Sequence, residues 1–172
     1  MMKTLLLMRH AKSDWSNADL GDRERPLNAR GVKAAAAMAR HIRANDLRPD
    51  LILCSPALRA EQTLAALFAE LGSEPEVLHE EKLYLAGPAT LLSLLRAHGG
   101  SAKRVMVIGH NPGLQNFALD LVGKGKEEDW GELGIKFPTA ALAVITFDID
   151  SWAEAAPRRG SLASFVRPRQ LV

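Results

Sequence analysis

The stretch Thr4-Leu5-Leu6-Leu7-Met8-Arg9-His10-Ala11-Lys12-Ser13 turns from apolar to cationic between two adjacent residues. Thr4 to Met8 has the length of a buried strand and is too short for a buried helix. Its end therefore delivers Arg9 and His10 to whatever lies just beyond a strand. The same form occurs twice more. Leu51 to Cys54 runs into Ser55-Pro56-Ala57-Leu58-Arg59, and Val105 to Ile108 runs into Gly109-His110-Asn111-Pro112-Gly113.

Between these runs the hydrophobic period becomes helical. Asn28 to Ala44 opens on a capping residue and carries Val32, Ala35, Ala36, Ala39 and Ile42 at helical spacing. Leu64, Leu67, Phe68 and Leu71 form a second apolar face, closed by Gly72. Pro88 starts a helix bearing Leu91, Leu94 and Leu95 that stops at Gly99-Gly100. Leu114, Phe117, Ala118 and Leu121 mark another. From Val122 to Pro138 the pattern fails, because Gly123, Gly125, Gly131 and Gly134 stand among charged residues, and the segment reads as a loop or lid. Ala140 to Phe147 and Ser161 to Val166 read as further strands. This alternation predicts an α/β fold, a three-layer sandwich whose mostly parallel central sheet is flanked by helices. No repeat or linker divides the chain, so residues 1–172 are expected to form one domain.

Composition narrows the function. With 47% apolar and 24% charged residues the chain is an ordinary soluble globular sequence. Lysine and arginine total 22 against 20 acidic residues, a balance of +2 that excludes a polycation built to coat nucleic acid. Arg158-Arg159 and Arg167-Pro168-Arg169 lack the interleaved aromatics of single-strand binders, so they read as solvated surface and no nucleic-acid partner is expected. The single Cys54 permits no internal disulfide and reads as a small buried hydrophobe. The N-terminal apolar run is shorter than the ~7–15 residues of a signal peptide or the ~20 of a membrane span. A cytoplasmic protein with no membrane partner is expected.

In parallel α/β sheets, ligands bind at the carboxyl ends of strands. The three polar strand ends here carry Arg9, Lys12, Arg59, His10 and His110, and no carboxylate. Converged on one pocket, they would bind an anion. Guanidinium forks match phosphoryl oxygens, and the first turn of a following helix adds free N–H donors. A neutral imidazole can attack phosphorus and hold it covalently, while the surrounding donors offset charge on the phosphoryl oxygens. Neighbouring cations depress the imidazole pKa and so keep it nucleophilic. His41, His79 and His98 have no such company and read as surface residues. No carboxylate–histidine cluster occurs at ligand spacing, so neither metal nor cofactor is expected.

At these residues the chain resembles the histidine phosphatase superfamily, which includes phosphoglycerate mutases and acid phosphatases. Arg9-His10-Ala11-Lys12-Ser13 is similar to its Arg-His-Gly signature, with Ala11 in place of glycine. Ser55 through Thr63 resembles its second motif, and Gly109-His110-Asn111 its second histidine motif. Arg25-Pro26-Leu27-Asn28 with Gly31 and the short length resemble the compact SixA-type branch, whose members dephosphorylate phosphohistidine on signalling proteins. The resemblance implies a phosphoglycerate mutase-like fold and a metal-independent phosphatase. His10 would be the nucleophile, with Arg9, Arg59 and His110 around the phosphoryl group. Lys12, Ser13 and Asn111 would add substrate contacts. Glu81, in Glu81-Lys82-Leu83-Tyr84, stands where mutase-like members keep a proton donor, and Ser16 or Asn17 where mutases keep a loop asparagine. The implied partner is a phosphohistidine protein. The alternatives are a small-molecule phosphomonoesterase or mutase of the same fold, and a binding module without catalysis.

Overall fold

The computed structural model describes residues 1–171, in which the predicted runs become strands of a single seven-stranded sheet. In chain order these are β1 (Met2–Arg9), β2 (Leu51–Cys54), β3 (Glu76–His79), β4 (Arg104–Gly109), β5 (Val122–Gly125), β6 (Leu142–Asp148) and β7 (Gly160–Val166). The helices are α1 (Ala29–Ala44), α2 (Leu58–Leu71), α3 (Pro88–His98), α4 (Gly113–Leu121) and α5 (Glu127–Ile135). The sheet order is β3-β2-β4-β1-β6-β7-β5, and β6 alone pairs antiparallel with its neighbours. The mostly parallel sandwich is the architecture the alternation predicts. No helix is long and apolar enough to cross a membrane among the described residues.

Strand alternation divides the core into two layers. Leu5 and Leu7 of β1, with Val105 and Val107 of β4, pack against α3, α4 and the fully buried Trp152. Leu6, Met8, Met106 and Ile108 point the other way, against α1 and α2. Buried on both faces, these central strands need apolar side chains at every position, hence their continuous apolar runs. Asn28 caps α1 by accepting from the Gly31 amide, and Gly72 ends α2 in the left-handed conformation.

The segment read as a loop or lid contains β5 and α5 instead. Its sequence hides them for a physical reason: β5 is an edge strand with only Val122 buried, and α5 buries only Leu133. One anchor per element makes no detectable period. Glu127, Glu128 and Asp129 in the first turn of α5 stabilise it against the helix dipole despite its two glycines. Strand β3, also an edge, likewise has no clear signal.

Register brings the three polar strand ends together. Arg9 pairs with Gly109, and Cys54 with Ile108. The His10 amide then donates to the Gly109 carbonyl at 3.0 Å, and the Ser55 amide to that of Ile108 at 3.1 Å. Helix α1 closes on the loop after β1 so tightly that a Cβ on Gly31 would lie 2.2 Å from the Lys12 carbonyl oxygen. Gly31→Ala should therefore cost about 1–3 kcal/mol of stability through overpacking. Urea denaturation measures this, and an unchanged midpoint would refute the contact.

Candidate active site

The strand ends enclose a cleft of about 360 Å³. His10 is buried within its wall, and its Nδ1–H donates to the Ala11 carbonyl at 2.7 Å. That bond assigns the tautomer, because the carbonyl can only accept. Nε2 is thus left with its lone pair, facing the Nε–H of Arg59 at 3.3 Å. The His110 ring lies beside it, centroids 5.2 Å apart. Its Nδ1 accepts from Arg59 Nη2 at 3.3 Å, and its Nε2–H donates to Ser55 Oγ at 2.7 Å.

Arg59 enters from the first turn of α2 and is 3% exposed. Beyond the two rings, its Nη1 donates to the Asp22 carbonyl at 2.6 Å and its Nη2 to the Asp22 carboxylate at 3.1 Å. Arg9 donates through Nη1 to the Phe137 carbonyl at 3.0 Å, whereas its buried Nε has no partner. A buried N–H of this kind is an open donor for a ligand oxygen.

Burial is the main reason both imidazoles stay neutral. It pushes His10 down to about 4, with Arg59, Arg9 and Arg25 adding to the shift and the Ala11 carbonyl opposing it. Burial likewise pushes His110 down to about 3, helped by His10, Arg59 and Arg9 and opposed by Asp22. Arg9 is itself lowered by burial and by Arg59. A cationic pocket with two neutral rings fits an anion that would compensate the guanidinium charges.

Of the other expected contacts, Lys12, Ser13 and Asn111 line the cleft. The Asn111 amide spans Gln115 and the Phe137 carbonyl, which Arg9 also uses. Glu81 is not brought in. Its carboxylate, two-thirds exposed, pairs with Arg23 outside the cleft. Ser16 and Asn17 do not line it either; the Asn17 side chain closes a local turn by accepting from the Asp19 amide. His79 and His98 are exposed and face Glu61 and Glu80, while His41 is half-buried on α1.

The structure adds residues that no sequence signal marked. The Asp22 carboxylate reaches the site from a short 3₁₀ turn, Asp22–Glu24, and meets Arg59, Arg25 and the Tyr84 hydroxyl. The Tyr84 hydrogen bond, then Arg59 and Arg25, hold its carboxyl below the ordinary range. Two residues of the second motif act as braces. Thr63 Oγ1 accepts from the Ala11 amide at 2.9 Å and donates to the Arg59 carbonyl at 2.7 Å, while Gln62 accepts from the Leu27 amide at 2.7 Å.

This geometry agrees with comparison to known proteins. Residues 5–83 match the model of the histidine phosphatase superfamily (branch 1). An uncharacterized Mycobacterium tuberculosis protein is 34% identical over 164 residues, spanning 94% of this chain and all of its own. The phosphohistidine phosphatase SixA of Escherichia coli is 31% identical over 148 residues, covering 84% of this chain and 85% of its own. A structure assigned as SixA from Nakamurella multipartitia superposes with a TM-score of 0.85 at 30% identity, over 98% of this chain and 97% of that one. The chain belongs to the histidine phosphatase superfamily, as a phosphatase. Within the superfamily it falls in the SixA-type branch.

The burial of the two rings has a solution signature. Their imidazole resonances should titrate near 4 and 3, not near the ordinary 6.5, when followed by NMR. In the unfolded chain both protonate near 6.5, so between about 6.5 and 4 the unfolded state binds more protons. Stability should fall as pH drops through that window. Midpoints near 6.5 for both rings would contradict the buried, neutral assignment.

Proposed function

We propose that the protein is a metal-independent phosphohistidine phosphatase that acts through a covalent phosphoryl group on His10. What supports this most directly is the His10 ring itself, fixed by the Ala11 carbonyl so that its unprotonated Nε2 faces the cleft and Arg59. In the first step Nε2 attacks phosphorus as the P–N bond to the substrate imidazole breaks. The departing imidazole carries a proton on its other nitrogen and leaves neutral. In the second step water adds to phosphorus and the P–Nε2 bond breaks. Dihydrogen phosphate leaves, and His10 returns as the Nδ1–H tautomer it started from.

Each neighbour has a part. Arg59 transfers its N–H donors from the two ring nitrogens to phosphoryl oxygens, and the unpartnered Nε of Arg9 supplies another donor. His110, braced by Ser55, stands beside His10 against the same phosphoryl group. Lys12, Ser13 and Asn111 border the oxygens. Transfer between two imidazoles is nearly balanced, so the leaving group needs little help from an acid. Glu81, paired with Arg23, has no role in this scheme. Asp22, whose carboxylate the Tyr84 hydroxyl, Arg59 and Arg25 hold ionised, orients Arg59 and is not a proton donor.

His10→Ala should abolish turnover and leave the fold intact, and mass spectrometry under acid-free conditions should find trapped phosphate on His10 of the wild type. Phosphate on Ser13 or Ser55 would overturn the nucleophile. Arg59→Ala should lose about 10²–10³ in rate, with little recovery in Arg59→Lys, because an ammonium cannot reproduce the fork. Chelators should leave the rate unchanged.

The part of each carboxylate can be read separately. Asp22→Asn should lower the rate on a phosphohistidine protein and on alkyl esters alike, because it weakens the contact that orients Arg59. Glu81→Gln should spare both substrates. A loss confined to alkyl esters in Asp22→Asn would instead assign Asp22 the role of a proton donor.

A further inference from the structure

The basic pair Arg167 and Arg169, which reads from sequence as solvated surface, borders a second groove of about 390 Å³. This groove shares Lys136, Pro138 and Thr139 with the catalytic cleft, so the two form one continuous depression. Its remaining wall includes Ile135, at the C-terminal end of α5, and Pro168.

Exposed apolar groups gather around the same depression. The exposed large hydrophobic side chains are Met1, Met2, Trp15, Val32, Leu85 and Ile135. Trp15 and Leu85 border the catalytic cleft, and Ile135, 78% exposed, borders the groove. Two of these are held in place. Leu85 adopts a left-handed backbone (φ 51°), which is unfavourable for a bulky side chain, and still leaves that side chain in solvent. Trp15 is fixed under the Arg25 guanidinium, 3.3 Å from ring centroid to Cζ, and Arg25 is in turn held by Asp22.

The charge around the depression is mostly positive. Its one lining carboxylate, Glu132, pairs with Arg167 at 2.8 Å, and Arg25 and Arg59 pair with Asp22, whereas Lys12, Lys136 and Arg169 have no carboxylate partner among the described residues. Uncompensated cations around apolar anchors suit a partner with the reverse pattern.

We propose that Ile135, Arg169 and Lys136, continuous with Trp15 and Leu85, form a docking surface for the face of a protein whose phosphohistidine is flanked by acidic and apolar side chains. The proposal rests on the phosphohistidine reading above and adds to it the chemistry of the partner. The apolar rim supplies contact area around the entering phosphohistidine. The cations of the groove select the acidic flank and speed the encounter.

The test uses the full chain and three probes. These are free phosphohistidine and a helical domain bearing one phosphohistidine, prepared with glutamates or with lysines beside it. The wild type should favour the glutamate form by about tenfold or more in kcat/KM, with the preference shrinking as salt is raised. Ile135→Asp with Arg169→Glu should remove that preference through KM, leaving kcat/KM on free phosphohistidine and the melting temperature unchanged. Equal rates of the wild type on the two domain forms, or a double variant that retains the preference, would overturn the docking surface. So would a wild-type dimer that the double variant dissociates in sedimentation, since the face would then serve self-association. Failure of the wild type on free phosphohistidine as well as both domains would instead refute the underlying phosphatase reading.

Discussion

The Arg59 guanidinium carries the rest of the site. It is almost wholly buried, and burying a cation without partners costs several kcal/mol. Its partners come from separate parts of the chain: His10 after β1, His110 after β4, and Asp22 in the turn before α1. One charged group thus fixes the relative positions of three segments. Its compensation is incomplete, because two of the partners are neutral rings and the Asp22 carboxylate is shared with Arg25. Arg9 adds a second cation with an open donor. A phosphoryl dianion would complete that balance, so the affinity for phosphate and the order of the site have the same electrostatic origin.

The scaffold makes that balance rigid. Strand register sets the backbone spacing of His10, Ser55 and His110, and both core layers lock the strands from either side. Thr63 and Gln62 tie α2 to the loops on which His10 and Asp22 depend. The Phe137 carbonyl anchors Arg9 and Asn111 together, so the segment after α5 is a fixed wall of the cleft. At the rim, Leu85, Trp15 and Ile135 project into solvent without serving the core.

Short apolar runs ending in cations were enough to predict the central strands, the helices between them and the convergence of Arg9, His10, Arg59 and His110, because each depends on local pattern and on the one end of a parallel sheet where ligands gather. The edge elements β3, β5 and α5 were not legible. Each buries too few residues to imprint a period, and tertiary contacts hold it in place. The carboxylate beside the site shows the same division. Glu81 stands in the motif position for an acid, yet its side chain goes to Arg23. Asp22, inside a charged loop with no motif, lies against Arg59. Which nitrogen of His10 is free, that Ser55 braces His110, and that Arg169 lies beside the cleft are likewise decided by tertiary structure. The sequence by itself determined which residues stand at the strand ends; the fold decided where each side chain points, because hydrogen-bond partners and burial are set by segments far apart along the chain.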